Sequence, residues 1–210
     1  MIKKRGLRKT IYSISGGDQV ELIFVRHGQG EHTLDIPNSL HLKNPSLTTE
    51  GKKQAKLLSE RFPLTDEDMI IISPIRRTIE TALIWTINVD CRKIVSPLVS
   101  PRIFPTRTNG MTLPCDEIID LEIIKRDYPE LELDMDASSY LWGRGINTMS
   151  DSEYNKIARE FIASLKLLKR KKIYIVSHDG TITAYRQLIS GCILSREDFL
   201  DEAGWVEIKC

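Results

Sequence analysis

The sequence is poor in the features that mark disulfide-rich, zinc-binding and membrane proteins. Among its 210 residues there are four scattered cysteines (Cys91, Cys115, Cys192 and Cys210), and no two of them form a CxxC pair. That scarcity argues against a zinc ribbon or a thioredoxin-like redox site and against a small secreted scaffold. There is also no apolar run of the length needed to cross a bilayer.

The first residues are basic without being followed by the apolar run of a signal peptide. Lysine and arginine occupy five of the first ten positions, and serines, glycines and Asp18 interrupt the stretch that follows. We therefore expect residues 1–19 to be a solvated basic extension and the protein to be cytoplasmic.

Net charge is almost absent. Thirty basic and 29 acidic residues leave a formal charge of +1, which predicts neither a nucleic-acid nor a membrane-surface partner. Any anion chemistry must come from a local cluster of positive charge. The hydrophobic and charged fractions, 41% and 28%, are those of an ordinary globular protein, and the length predicts one domain over residues 20–210.

Short apolar runs alternate with helical patterns along this domain. Strands are predicted at 20–25, 69–72, 89–95, 173–176 and 205–209, and helices at 46–62, 75–85, 118–127, 151–169 and 181–189. Such alternation predicts an α/β fold, a three-layer sandwich with a mainly parallel sheet and helices on both faces. Residues 96–150 contain several prolines and little periodicity, so we expect an irregular insertion there.

Three of the predicted strands end in residues that can carry chemistry. Arg26-His27 follows the first, Ser73 to Arg77 follows the second, and His178-Asp179 follows the strand at 173–176. The carboxyl ends of parallel strands open at one edge of a sheet, where ligands bind. We therefore expect two histidines and two arginines to meet in one crevice.

This set of side chains suits phosphoryl chemistry. Arginine presents a fork of donors that matches phosphate oxygens, and helix N-termini after each strand add backbone N–H groups. A neutral histidine can attack phosphorus, and nearby arginine charge lowers its pKa and keeps it neutral. A metal site with Asp179 is the rival interpretation, but the arginines would repel a cation, so we predict no metal and no other cofactor.

Four segments, in this order, resemble the motifs of the histidine phosphatase superfamily, which includes the cofactor-dependent phosphoglycerate mutases. They are Arg26-His27-Gly28, the "LTxxGxxQA"-like stretch 47–55, the second arginine motif at 73–82 and the second histidine motif at 175–180. The resemblance covers about residues 20–190.

The resemblance implies a role for each matching residue. His27 would be the phosphorylated nucleophile, while Arg26, Arg77 and His178 would hold the phosphoryl oxygens. Arg77, and not Arg76, occupies the motif position. Gln29 and Gly30 lie where the family places further phosphate contacts.

Two positions depart from the family pattern. Thr33 stands where the family often has Asn, so one phosphate contact is weakened or comes from the hydroxyl. The segment Pro114-Cys115-Asp116 resembles a subgroup with a Glu eight residues before its Asp, and that position is Thr108 here. A threonine is not a carboxylic acid. Asp179, Asp116 and Glu117 are therefore the candidate proton donors, with Asp179 favoured because another branch of the superfamily uses a His-Asp pair.

Three functions remain open on the sequence alone. The first is a phosphomonoesterase that hydrolyses a small phosphorylated metabolite through a phosphohistidine. The alternatives are a cofactor-dependent phosphoglycerate mutase and a catalytically impaired, anion-binding regulatory module. The sequence identifies neither the substrate nor the oligomeric state. Arg102, Arg107 and Lys125 either contact a polyanionic substrate or line a wet surface, and Tyr140 and Trp142 either cover the pocket or anchor their segment.

Overall fold

A computed structural model of the protein describes residues 19–107 and 109–210. The basic extension, except for its last residue, and Thr108 therefore lie outside the described residues. The helices and strands are, in chain order, β1 (Glu21–Arg26), α1 (Thr49–Arg61), β2 (Met69–Ile72), α2 (Arg76–Trp85), β3 (Arg92–Val95), α3 (Leu121–Asp127), β4 (Glu132–Leu133), α4 (Ser139–Arg144), α5 (Asp151–Leu167), β5 (Lys172–Ser177), α6 (Asp179–Ser190) and β6 (Trp205–Lys209).

The six strands form one sheet in the order β4-β3-β2-β5-β1-β6. Strand β6 runs antiparallel to β1 at one edge, and the other pairs are parallel. The prediction of a mainly parallel α/β sheet is therefore confirmed.

Alternate residues of the central strands serve two separate cores. On β1, Leu22 and Phe24 pack in the core that contains residues of α5 and α6, whereas Ile23 and Val25 pack in the core that contains residues of α1 and α2. All four side chains are fully buried. Burial on both faces explains why residues 22–25 of this strand are all apolar and confirms the three-layer arrangement.

Local signals explain where the helices begin. Thr48 caps α1 by accepting a hydrogen bond from Gly51 N. Ser150 forms a reciprocal capping box with Glu153 at the start of α5. Helices α2 and α6 begin without a side-chain cap, directly after β2 and β5 and beside the predicted crevice. The first backbone N–H groups of α2 are therefore free of side-chain caps and can meet an anion, whereas Gly180 N in the first turn of α6 donates to Asp179 Oδ1.

The segment from 131 to 150 is more regular than the sequence predicts. It contains β4, which extends the sheet by pairing with β3, and the short helix α4. Both elements are too short to leave a periodic pattern. Trp142 is buried in the core and its Nε1 donates to Asp134 O at 3.1 Å, so its ring anchors this segment.

Arg102 is not a surface contact for a polyanionic substrate. Its side chain is buried and donates to the carbonyls of Ile146 and Met149 and to Asp151 Oδ1 at 2.7 Å. The guanidinium also lies over the ring of Tyr154. These hydrogen bonds of Arg102 thus hold the segment after β3 against the start of α5.

Glycine is required where β1 leaves the sheet. A Cβ atom on Gly28 would lie 2.5 Å from the carbonyl oxygen of Gly51 in α1, so a Gly28→Ala variant must push two backbone segments apart. We expect a loss of about 1–3 kcal/mol in the free energy of unfolding, measured by urea denaturation.

Gly143→Ala is the matched control. A Cβ at Gly143, in α4, would have no neighbour within 4 Å, and alanine should stabilise this helix by up to about 1 kcal/mol. Equal effects of the two substitutions would contradict the steric argument.

Candidate active site

The carboxyl ends of β1, β2 and β5 bring the predicted residues together in one buried cluster. His27, Arg77 and His178 are 2%, 1% and 4% exposed. The imidazole centroids of His27 and His178 are 5.1 Å apart. Arg77 lies between these rings, since its Nε is 3.1 Å from His27 Nε2 and its Nη2 is 3.2 Å from His178 Nδ1.

Hydrogen bonds fix the tautomer of His27. Its Nδ1 lies 2.7 Å from the carbonyl oxygen of Gly28, and a carbonyl can only accept, so Nδ1 carries the proton. Nε2 is then an acceptor, which agrees with its position 3.1 Å from Arg77 Nε. The lone pair of Nε2 is the one available to attack an electrophile.

His178 has the opposite tautomer. Arginine only donates, so Nδ1 of His178 accepts from Arg77, and its Nε2 donates to Ser73 Oγ at 2.8 Å. Ser73 follows β2 directly, which explains how the motif at 73–82 contributes to the site beyond Arg77. His178 is thus oriented by two groups that follow β2, whereas His27 is held by the carbonyl of its neighbour Gly28 and by Arg77.

Both histidines are neutral in this environment. Burial lowers the pKa of His27 well below its ordinary value of 6.5, and the charges of Arg77 and Arg26 add to this effect. Burial and then Arg77 lower the pKa of His178 in the same way. Arginine charge, the cause expected from the sequence, contributes to both pKa shifts, but desolvation is the larger cause.

Arg26 lies at the rim of the cluster. Its Nη1 donates to Leu200 O at 2.7 Å, and its Nη2 is 3.1 Å from Asp179 Oδ2. The second oxygen of Asp179 accepts from Gly180 N at 2.6 Å. Both oxygens of this carboxylate are therefore occupied by donors.

Asp116 lies over Arg77 from a turn that covers the cluster. The residues 114–116 form one turn of 3-10 helix, in which Cys115 O accepts from Arg77 Nη1 at 2.6 Å and Asp116 Oδ1 accepts from Arg77 Nη2 at 2.8 Å. Among the described residues nothing is bonded to Asp116 Oδ2. Glu117, the next residue, is exposed.

The loop after β1 is held by a network of neutral side chains. The backbone N–H of Gln29 donates to Gln54 Oε1, and Thr48 Oγ1 donates to Gln29 Oε1. Thr33 Oγ1 donates to Gly30 O at 2.9 Å. Its hydroxyl hydrogen is therefore used in a hydrogen bond within the turn and does not point to a ligand. Gln29 and Gly30 stay proposed phosphate contacts.

The structure adds one residue that the sequence analysis did not single out. His32 is 8% exposed, and its ring centroid is 5.5 Å from that of His27. Three of the four histidines of the sequence therefore share this pocket. The signal that could have found His32 is its place in the loop after β1, five residues beyond His27.

In the described ranges, 19–107 and 109–210, no group of three or more His, Cys, Asp or Glu side chains is arranged to hold a metal ion. Within the same ranges, no helix is both long enough and apolar enough to cross a membrane.

The buried imidazoles make stability sensitive to acid. Unfolded histidines have a pKa near 6.5, whereas those of His27 and His178 are far lower and that of His32 is about 3. The unfolded chain therefore binds more protons below pH 6.5. We expect the free energy of unfolding to fall as the pH drops from 6.5 toward 5, by up to about 1.4 kcal/mol per pH unit for each imidazole.

Urea denaturation between pH 7.5 and 5 measures this slope. His32→Phe should make it shallower, while replacing the exposed His41 by Asn should not change it. A stability that stays flat from pH 7 to 5 would show that the three imidazoles are not held neutral.

Part of the chain is similar in sequence to known phosphatases. A sequence model of the histidine phosphatase superfamily (branch 1) matches residues 22–98. A Schizosaccharomyces pombe protein named "Probable phosphatase" is 39% identical over 83 residues, which are 37% of this chain and 32% of that protein. Phosphoserine phosphatase 1 of Hydrogenobacter thermophilus is 42% identical over 64 residues, 30% of each chain. The chain thus spans about a third of the length of the curated relatives it matches.

Solved structures resemble the chain over most of its length. The α-ribazole phosphatase of Shigella flexneri matches 89% of this chain and 88% of its own, with a TM-score of 0.55 and 21% identity. A mycobacterial glucosyl-3-phosphoglycerate phosphatase matches 91% and 90%, with a TM-score of 0.58 and 16% identity. At these identities the likeness shows a common fold. The sequence model covers residues 22–98, which include Arg26-His27-Gly28 and Arg77, so this part of the chain is similar to the histidine phosphatase superfamily.

Proposed function

We propose that the protein is a phosphomonoesterase that hydrolyses a small phosphorylated metabolite through a phosphohistidine at His27. The observation that carries this proposal is the fixed tautomer of His27, whose unprotonated Nε2 lies beside Arg77 in a buried pocket. The sequence relatives and structural neighbours that carry phosphatase names support hydrolysis rather than mutase activity.

The first step transfers the phosphoryl group to His27. A phosphate dianion displaces Arg77 Nε from His27 Nε2, because its oxygens are stronger acceptors for a guanidinium than a neutral imidazole nitrogen. The Nε2 lone pair then forms the N–P bond while the P–O bond to the leaving group breaks. Arg26, Arg77 and His178 hold the phosphoryl oxygens as charge develops on them.

The second step releases inorganic phosphate. A water molecule attacks the phosphorus of phosphohistidine, the N–P bond breaks, and Nε2 recovers its lone pair. The carboxylate that gave its proton to the leaving group takes the proton of this water, so each turnover restores the starting protonation state.

We place this proton transfer on Asp116 rather than on Asp179. Both oxygens of Asp179 are bound by donors, whereas Asp116 binds Arg77 through Oδ1 alone. Its Oδ2 can therefore carry a proton. The turn 114–116 also covers Arg77, which puts Asp116 near the leaving group of a substrate held by that arginine.

The choice between the two carboxylates is testable with two leaving groups. Asp116→Asn should lower kcat for an alkyl phosphate by about 10²–10⁴-fold, while it should change kcat for para-nitrophenyl phosphate much less, because nitrophenolate leaves without a proton. Asp179→Asn should not show this difference between the two substrates. A leaving-group-dependent loss in Asp179→Asn alone would move the role to Asp179.

The experiment that tests the function is a rapid-quench assay of the wild-type protein with para-nitrophenyl phosphate and EDTA. We expect a burst of nitrophenolate and an acid-labile phosphate on the peptide that contains His27. Turnover that needs an added divalent metal, or a phosphate on another residue, would overturn the proposal. Phosphate exchange that requires 2,3-bisphosphoglycerate would instead indicate a mutase.

The small phosphorylated substrate and the cytoplasmic location also belong to this proposal. The four cysteines are free thiols and three of them are buried, which suits a reducing compartment.

A further inference from the structure

His32 lies against the proposed catalytic residues, and Gly30 makes room for it. A Cβ atom on Gly30 would lie 2.6 Å from His32 Nδ1 and 3.2 Å from Arg77 Cδ. The niche beside Gly30 is therefore bordered by the imidazole on one side and by the arginine stem on the other. Any side chain at position 30 would push into His32, so a glycine is needed there.

The Nδ1 atom of His32 is buried and has no hydrogen-bond partner among the described residues. A buried nitrogen without a partner costs about 1–3 kcal/mol, and such groups are rare in native proteins. A phenylalanine ring could fill the same space without this cost, because it has no nitrogen to leave unpaired. A ligand that enters the pocket from outside would give this nitrogen the hydrogen-bond partner that it lacks.

The charge state of His32 limits what that partner can be. Burial and the charges of Arg77 and Arg26 lower the pKa of His32 to about 3, so the ring is neutral and offers one N–H donor. The two arginines attract anions to this pocket. The fitting partner is an anionic oxygen, which accepts a hydrogen bond from a neutral imidazole.

Thr33 does not take this place. Its hydroxyl donates to Gly30 O at 2.9 Å and lies 3.4 Å from Glu202 Oε1, so its single hydrogen points to protein acceptors. In the 3-10 turn Glu31–Thr33, the side chain with an unused polar atom facing the pocket is that of His32.

We propose that His32 is a further phosphoryl-binding residue, whose Nδ1–H donates to an oxygen of the phosphoryl group held between His27 and Arg77. This inference rests on the proposed function. It makes the pocket one of three neutral imidazoles and two arginines. The ligand class is a phosphate monoester or inorganic phosphate.

The entry of the phosphoryl group opens the way to His32. Arg77 Nε must leave His27 Nε2 before phosphorus can approach this nitrogen. The Cδ atom of Arg77 and the Nδ1 atom of His32 border the same space beside Gly30, so we expect this shift of the arginine side chain to widen the space next to Nδ1. On this proposal a single movement of Arg77 makes room beside both His27 and His32.

Three variants test which atom of His32 matters. Phenylalanine keeps the ring and removes both nitrogens, asparagine keeps a polar atom near the position of Nδ1, and glutamine keeps one near the position of Nε2. The measurement is the Kd of inorganic phosphate by calorimetry, with the melting temperature of each variant recorded without ligand.

We expect His32→Phe to raise the Kd of phosphate by about 10- to 100-fold while its melting temperature stays equal or rises. His32→Asn should restore binding to within about threefold of the wild type, and His32→Gln should not. If His32→Phe does not fold, the difference between Asn and Gln decides.

Wild-type phosphate binding in His32→Phe would overturn the inference and leave the ring as packing. Equal losses of binding in all three variants, each with a lowered melting temperature, would do the same. Failure of the proposed function is recognised separately, because the wild type would then bind phosphate without forming phosphohistidine at His27.

Discussion

A His27→Ala variant is expected to lose at least about a thousandfold in kcat/KM for para-nitrophenyl phosphate. In the proposed mechanism the variant lacks the nitrogen that bonds to phosphorus, and we expect no second imidazole to replace it. His178 Nε2 donates to Ser73, and its Nδ1 faces Arg77. His32 is five residues away in a turn and its ring centre is 5.5 Å from that of His27.

The assay for this variant is steady-state turnover with EDTA present. His41→Ala is the matched control, because His41 is the histidine outside the pocket and is exposed, and it should keep wild-type kcat/KM. A His27→Ala protein that is folded and keeps more than a tenth of the activity would remove the phosphohistidine from the mechanism.

Arg77→Met is expected to lower kcat/KM by about 10²–10³-fold or more and to destabilise the fold as well. The substitution leaves four acceptors without their donor, namely His27 Nε2, His178 Nδ1, Cys115 O and Asp116 Oδ1. Lysine at this position keeps the charge but not the planar fork, so Arg77→Lys should recover only a small part of the lost activity.

Arg76→Met is the control for this prediction. Arg76 precedes Arg77 in the same helix, but its half-exposed side chain pairs with Glu80 and has no contact with the histidines among the described residues. Its kcat/KM should stay within about threefold of the wild type. An equal loss in both variants would mean that the second arginine motif is in the wrong register.

The sequence predicts the part of the site that the sheet positions. β2 and the central residues of β1 and β5, 22–25 and 173–176, are short apolar runs that polar residues follow at once, so the ends of these strands are visible without a structure. Parallel pairing then brings His27, Arg77 and His178 to one edge, as expected. The same reasoning could not place Asp116, because the turn 114–116 has no periodicity and is held by Arg77 itself.

Other features depend on tertiary contacts that leave no pattern. β4 has two residues and exists because it pairs with β3. The role of Thr33 depends on where its hydroxyl hydrogen points, and that is decided by Gly30 O and not by residue type. His32 cannot be assigned from the sequence, because one histidine in a loop carries little information until its neighbours are known.

The order of the strands has a consequence for how the protein is made. β5 stands between β1 and β2, so His27 and Arg77 are joined by a strand that begins only at Lys172. A nascent chain that has left the ribosome as far as α5 holds His27 and Arg77 in two parts of an incomplete sheet. The proposed active centre therefore cannot assemble gradually during synthesis, but forms in one late step when β5 inserts.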